Sequence, residues 1–339
     1  MATVGTEQGA RRRRGTGARV LVAALLAAGL AAGCTVSQAP GDDGRGSPRQ
    51  SSATPRETTP SEPESGPETS PVLAVKIDNA FPARPQTGLD AADVVYAEQV
   101  EGGLSRLLAV YATRFPESVG PVRSAREADL ELLRQFDRPV LAFSGAQGKL
   151  LPLIDRAPLE AVTPESEPDA FVRRPGRFAP HNLYLRPDRL MKEPPGAASL
   201  TTGFHQGPAP AGGRTDDEVT VRFPAARFTF TWSGARDGWL VSMDGTPALT
   251  PEGERLAPPT VVVQHVGVRR SRFGDFLGNS TPYTETVGSG KATVLRGGQA
   301  YEARWSRPTA ADGTSFTTGD GEEVNVAPGQ VWVVYAKTP

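Results

Sequence analysis

The chain has one cysteine in 339 residues, Cys34. A lone thiol closes no intramolecular disulfide and builds no cysteine-based metal centre. Histidine is nearly as scarce. His181, His205 and His265 stand far apart, with no HExxH or His-x-His spacing, so neither a metal nor a cofactor is expected. Net charge is close to zero, with 37 Lys+Arg against 38 Asp+Glu. The first 33 residues hold five arginines against Glu7, so their removal takes the formal charge from −1 to about −5. A mildly acidic chain is a poor nucleic-acid binder, and no such partner is expected. Long apolar runs are also missing. The longest, Val20 through Ala32, is thirteen residues, short of the roughly 20 that span a bilayer. Residues 35–70 contain no Leu, Ile, Met or aromatic residue.

What is present begins with that apolar run. Arg11-Arg12-Arg13-Arg14 and Arg19 precede it, and Ala31-Ala32-Gly33 lead into Cys34. A basic head, a short apolar core and small residues before a cut site make a secretory signal over residues 1–33. The small residues before the cysteine resemble the lipobox of bacterial lipoproteins, with Ala31 where leucine is commoner and Leu30 one step earlier. That resemblance implies cleavage before Cys34, acylation of its thiol, and anchoring to the extracytoplasmic face of the cell membrane. The alternative is an ordinary secreted protein with a free cysteine. Residues 34–70, rich in Ser, Thr, Pro, Gly and Glu, cannot offset their ordering entropy by burial. They read as a lipid anchor followed by a disordered tether.

The rest suits an α+β chain with an N-terminal mixed α/β domain over 71–193, a linker over 194–216 and a mostly β domain over 217–339. In the first block, residues 72–77, 93–98, 106–112 and 139–143 are short apolar strands. A helix is expected from Ser124 to about Phe136, with Ser124 and Glu127 as its capping box and Leu130, Leu133 and Phe136 on one face. A second short helix is expected over 147–154, and residues 179–185 are extended. After a Pro-, Gly- and Ala-rich stretch, residues 219–223, 227–232, 239–243, 261–266, 292–295, 301–305 and 331–335 are strand-like, separated by turns such as Gly297-Gly298. No segment there carries a clear helical period.

Unusual residues concentrate between Lys76 and Arg126. The segments are Val-Lys-Ile-Asp-Asn (75–79), Ala-Arg-Pro-Gln-Thr-Gly-Leu (83–89), Ala-Asp-Val-Val-Tyr-Ala-Glu (92–98), Glu-Gly-Gly-Leu-Ser-Arg (101–106) and Gly-Pro-Val-Arg-Ser-Ala-Arg (120–126). Ala-Pro-His-Asn-Leu-Tyr (179–184), Phe-Thr-Trp (230–232), Val-Val-Val-Gln (261–264), Gly-Ser-Gly-Lys-Ala (288–292) and Pro-Gly-Gln-Val-Trp (328–332) follow in order. Together they resemble the YerB-like bacterial lipoproteins, which carry a two-part domain of unknown function numbered 3048. The resemblance covers nearly all of residues 72–336. It implies an extracytoplasmic lipoprotein with a mixed domain followed by a β domain, and it implies no reaction.

Chemistry must therefore come from the residues. Arg123 and Arg126 flank the expected cap Ser124, and helix starts attract anions. With Arg84 and Arg106 they form a candidate carboxylate or phosphate site. The alternative is that these arginines pair internally with Asp78, Asp93, Glu98 and Glu101. His181-Asn182 would complete a ligand-binding set of Arg84, Arg106, Arg123, Ser124, Arg126, His181 and Asn182. His181 is also a candidate base, with Asp78 or Glu98 as acidic partner and Ser124 or water as nucleophile. No Gly-x-Ser-x-Gly or Ser-x-x-Lys motif supports a serine enzyme. Asp78-Asn79 and Glu98/Glu101 are weaker candidates for a hard cation. Trp232, Trp239, Trp305 and Trp332 could form either a sugar-stacking face or a core, and Arg269, Arg270 and Arg272 a basic loop. Three readings follow: an envelope protein binding an anionic ligand such as a cell-wall fragment, a wall hydrolase or transferase using His181, and a structural interaction protein. Neither a protein partner nor an oligomeric state is legible. Cys34→Ser is expected to move the protein from the membrane pellet to the soluble fraction and to abolish palmitate incorporation; retained membrane association would refute the anchor.

Overall fold

The computed structural model describes residues 45–46, 70–274 and 279–339. The expected signal, Cys34 and all of the tether except Arg45, Gly46 and Ser70 lie outside them. Arg45–Gly46 pairs antiparallel with Ala146–Gln147. The principal elements are β1 (Leu73–Asp78), β2 (Val94–Gln99), β3 (Ser105–Tyr111), α1 (Glu127–Leu132), β4 (Val140–Ala142), α2 (Leu151–Ile154), β5 (Glu160–Val162), β6 (Phe171–Arg173) and β7 (Leu183–Leu185). The second half adds β8 (Glu218–Phe223), β9 (Ala226–Ser233), β10 (Gly238–Met243), β11 (Thr260–Val266), β12 (Val268–Gly274), β13 (Ser280–Thr284), β14 (Gly288–Arg296), β15 (Gln299–Arg307) and β16 (Val331–Lys337).

One large sheet holds strands from both halves in the order β15-β14-β11-β16-β2-β3-β1-β4-β5. Its centre is made by the last strand. β16 runs parallel to β11 on one side and parallel to β2 on the other. A strand buried on both faces and paired on both edges should be almost entirely apolar, and Val331-Trp332-Val333-Val334-Tyr335-Ala336 meets that requirement. Among the described residues strand therefore predominates over helix, and α-helix is confined to two short pieces of six and four residues. Among the described residues from 217 on, no helix occurs.

The pleat sends alternate residues to opposite faces. On one face Leu73, Val75, Ile77, Val95, Leu107, Val261, Trp332 and Val334 meet Phe228, Phe230, Trp239, Val241 and Met243 of a small sheet formed by β8, β9, β10 and Thr246–Pro247. On the other face Ala74, Tyr96, Leu108, Val262, Val333 and Tyr335 pack with Leu132, Leu133 and Phe136 around α1. Tyr96 stacks on Tyr335 at 6.0 Å, joining β2 to β16. Three of the four tryptophans are core: Trp239, Trp305 and Trp332 are buried, and Trp232 packs beside Trp239. The basic loop expected at Arg269–Arg272 is instead β12, the first strand of a hairpin with β13. That hairpin crosses to α1, where Ser271 donates to Glu127 at 2.5 Å and Tyr283 to Glu131 at 2.7 Å.

The expected helix is shortened at its start. Arg123 N–H bonds Lys76 O, and Ala125 N–H bonds Gly145 O. These contacts keep Ser124 and Ala125 out of the helix, so α1 begins at Glu127 with Arg126 as N-cap. Asp129, not Glu127, closes the turn by accepting the Arg126 N–H at 2.7 Å. No helix among the described residues is long and apolar enough to cross a membrane.

Trp332 is fully buried and meets the edges of Phe228 and Phe230 at 6.4 and 6.3 Å. Trp332→Ala should cost about 3–5 kcal/mol. A shared core requires tertiary probes from both halves to lose stability in one transition. Separate melting of the two halves would contradict it.

Candidate functional site

The site forms where β1 ends. Residues 119–123 run extended between β1 and β7. Asp78 N–H bonds Pro121 O and Arg123 N–H bonds Lys76 O on one side; Val122 N–H bonds Leu183 O on the other. Residues 78, 123 and 181, distant in sequence, are thereby brought side by side. The approach is close at Gly120, where a Cβ would lie 2.9 Å from both Leu183 O and the Tyr184 ring. Cis peptide bonds precede Pro85, Pro121 and Pro180 in the three segments that converge here.

Asp78 is the hub. Its Oδ2 accepts His181 Nδ1 at 2.8 Å and Arg123 Nε at 3.1 Å, and its Oδ1 accepts the Ala80 N–H at 3.1 Å. Arg106 is its cross-strand neighbour. Burial alone would raise the carboxyl's pKa. The His181 hydrogen bond, Arg106, Arg123 and the Ala80 N–H outweigh it and hold Asp78 ionised, well below the usual carboxylate range. With Nδ1 turned to Asp78, His181 presents Nε2 outward from a side chain that is 22% exposed. Nε2 has no protein partner among the described residues. Phe81 and Phe178, the most exposed large apolar side chains described, lie three residues from Asp78 and His181 respectively. Arg177 ties their two loops together by donating to Ala83 O at 2.6 Å and Pro85 O at 2.8 Å.

A second, deeper set of charges adjoins this hub. Lys76 is fully buried between Asp129, at 2.7 Å, and Glu98. Burial pushes its ammonium down to about 8, against the opposing pull of Asp129. Arg126 pairs with Glu101 at 2.6 Å, and Thr281 of the second half donates to the same carboxylate at 2.5 Å. Burial raises the pKa of Glu101, but Arg126, Arg106 and Thr281 more than reverse this and bring it down to about 2. Lys76, Arg106, Arg123 and Arg126 thus face Asp78, Glu98, Glu101 and Asp129 in equal number.

The expected site residues are distributed between these sets. Asp78, Arg123 and His181 meet, as the pairing of His181 with Asp78 anticipated. Glu98 lies with Lys76 instead. Arg126 and Arg106 each donate to Ser124 O, and Ser124 itself is buried with its hydroxyl 3.3 Å from that of Ser144. Ser124 is neither the helix cap nor bonded to His181. Arg84 binds Asn79 and reaches Asp244 of the second half at 2.7 Å. Asn182 turns to the β6–β7 hairpin, where Arg173 donates to it at 2.8 Å. Among the described residues, no group of three or more His, Cys, Asp or Glu side chains is arranged to hold a metal. Sequence reading missed Lys76 and Asp129 as partners, because a lysine inside an apolar strand signals burial only once its acids are located.

Comparison with known proteins places the chain. The N-terminal domain model of the protein of unknown function DUF3048 matches residues 58–199, and the corresponding C-terminal domain model matches residues 219–333. The chain belongs to the DUF3048 family. These two domains match the two-domain architecture expected from the sequence. The chain is 26% identical over 275 residues to YerB of Bacillus subtilis (strain 168), named as a candidate lipoprotein, covering 77% of this chain and 80% of that one. The crystal structure of YerB superimposes with a TM-score of 0.63 at 22% identity, covering 81% of this chain and 94% of that one. That likeness establishes a common fold.

Protonation should dismantle the site in a defined window. Glu101 titrates near 4.5 unfolded and about 2 folded, so the stability it contributes is complete above the unfolded value and lost as pH falls towards the folded one. Asp78 acts in the same direction. Melting temperature should fall as pH drops below about 4.5, with Glu101 accounting for roughly 3 kcal/mol. Glu101→Gln should flatten that slope. An unchanged slope in the variant would show that Glu101 is not held ionised.

Proposed function

We propose that this chain is a lipid-anchored, extracytoplasmic envelope protein that binds an anionic ligand at His181 and Arg123. The observation that carries the reading is the outward-facing His181 Nε2 beside Arg123, with Asp78 holding both. A carboxylate or other oxyanion finds there the Arg123 guanidinium and an imidazole that, with Nδ1–H held by Asp78, donates to the anion through Nε2–H once it takes up a second proton with the ligand. Wall fragments, with their free carboxylates, suit both the groups and the compartment. The compartment rests on the lipobox-like run before Cys34 and on the name of the B. subtilis relative. A cell-wall polymer is thus the partner we assign, alongside the membrane.

A second reading is favoured by one observation, the His181 Nδ1 to Asp78 hydrogen bond. An imidazole oriented by a carboxylate is the usual arrangement of a general base. With Ser124 buried against Ser144, the base would have to act on water, making the protein a wall hydrolase. The ligand-binding reading asks for no nucleophile and is preferred.

Purified wall fragments should bind the full-length protein, and His181→Ala or Arg123→Ala should weaken that binding by about tenfold, a loss near 1.4 kcal/mol. His181→Ala is the cleaner probe because His181 is partly exposed. Binding unaffected by both changes would sink the proposal. Release of soluble products that disappears in His181→Ala would promote the hydrolase.

A further inference from the structure

A cleft of about 460 Å³ opens at the tip of the β8–β9 hairpin, walled by Arg222, Arg227, Asp244 and the turn residues Pro224 and Ala225. Arg222 and Arg227 stand directly opposite each other in the antiparallel register. Side chains so placed share a face with Cβ atoms about 4.5–5.5 Å apart, and like charges there repel. Both arginines are exposed on the outer face, while Val221, Phe223 and Phe228 fill the inner one.

The neighbouring acid does not relieve the repulsion. Asp244 Oδ1 accepts the backbone N–H of Arg227 at 2.8 Å, and Oδ2 accepts Arg84 at 2.7 Å. Neither the Arg222 nor the Arg227 guanidinium has a hydrogen-bond or ion-pair partner among the described residues. The cleft therefore carries two arginines against one carboxylate that is already engaged by Arg84. The surroundings are built to keep this arrangement. The Arg227 guanidinium passes over Gly245, where a Cβ would sit 2.6 Å from its Nη2, and Gly245 has φ +84°. The hairpin tip is fixed to the first half, with Ala225 N–H bonded to Gly103 O at 2.9 Å and Pro224 packed against Gly103.

We infer that the Arg222–Arg227 pair is a binding site for a phosphate-type oxyanion, either a phosphodiester within an anionic polymer or a small free phosphate. Two guanidinium forks on one side of a cleft supply several N–H donors to the oxygens of one tetrahedral anion, and the anion removes the repulsion between them. Arg84, which holds the cleft's Asp244, also bonds Asn79. The site uses none of the residues that define the His181 reading, and either stands if the other fails.

The test measures binding to the full-length protein of three probes: inorganic phosphate, glycerophosphoglycerol, and deacylated poly(glycerol phosphate). Arg222→Ala/Arg227→Ala should weaken binding by at least about tenfold. It should leave the melting temperature unchanged or higher, because repulsion is removed. Arg134→Ala/Arg138→Ala, which removes the same charge elsewhere, and His181→Ala should bind as the parent does. Polymer bound more tightly per phosphate than glycerophosphoglycerol identifies the polymer as the source; equal binding identifies the small phosphate. Failure of all three probes to bind, or an equal loss in Arg134→Ala/Arg138→Ala, overturns the site.

Discussion

Eight charged side chains are gathered around the end of one buried strand, and they are tolerable there only because they cancel. An isolated ion in such a place would cost several kcal/mol. Lys76 lies between Glu98 and Asp129, Arg126 holds Glu101, and Asp78 takes Arg123 with Arg106 as its neighbour. The requirement reaches outward. Asp129 belongs to α1, Glu101 to the turn between β2 and β3, and Thr281 to a hairpin from the far end of the chain. None of these elements can shift without leaving a charge unmatched. Removing one partner is therefore far more costly than any single pair is stabilising.

The same balance explains which groups remain for chemistry. The inner members, Lys76, Glu98 and Asp129, are saturated by one another. At the rim His181 retains one open side. Its Nδ1 is committed to Asp78, which fixes the ring; its Nε2 has no protein partner among the described residues, on a side chain that is 22% exposed. The insertion of β16 between β11 and β2 serves this arrangement too. It makes the two family domains one sheet, so that Arg84 of the first half meets Asp244 of the second and the β12–β13 hairpin closes over α1.

Most strands were legible because apolar alternation and turn residues are local signals. Runs such as Val72–Ile77 and Val331–Tyr335 can be nothing else. Their order in the sheet was not legible, since nothing local in Val331–Tyr335 says that it pairs with β2 rather than with a neighbour in the second half. The start of α1 was misplaced because Ser124 and Glu127 satisfy a capping pattern, while the contacts to Lys76 O and Gly145 O that keep Ser124 out of the helix are long-range. The pairing of His181 with Asp78 was legible from residue chemistry, as was the internal use of the arginines. The Arg222–Arg227 pair was not, because two arginines five residues apart become opposed only when a two-residue turn sets the register.

The central claim is that Asp78 fixes His181 with Nδ1 inward and leaves Nε2 available. The nitrogen-15 chemical shifts of the His181 imidazole in the full-length protein, followed at about pH 8, test this most directly. A protonated Nδ1 with an unprotonated Nε2 is predicted, reverting to a solvent-like tautomer mixture in Asp78→Asn. A proton on Nε2 in the parent protein, or identical spectra with and without the Asp78 carboxylate, would contradict it.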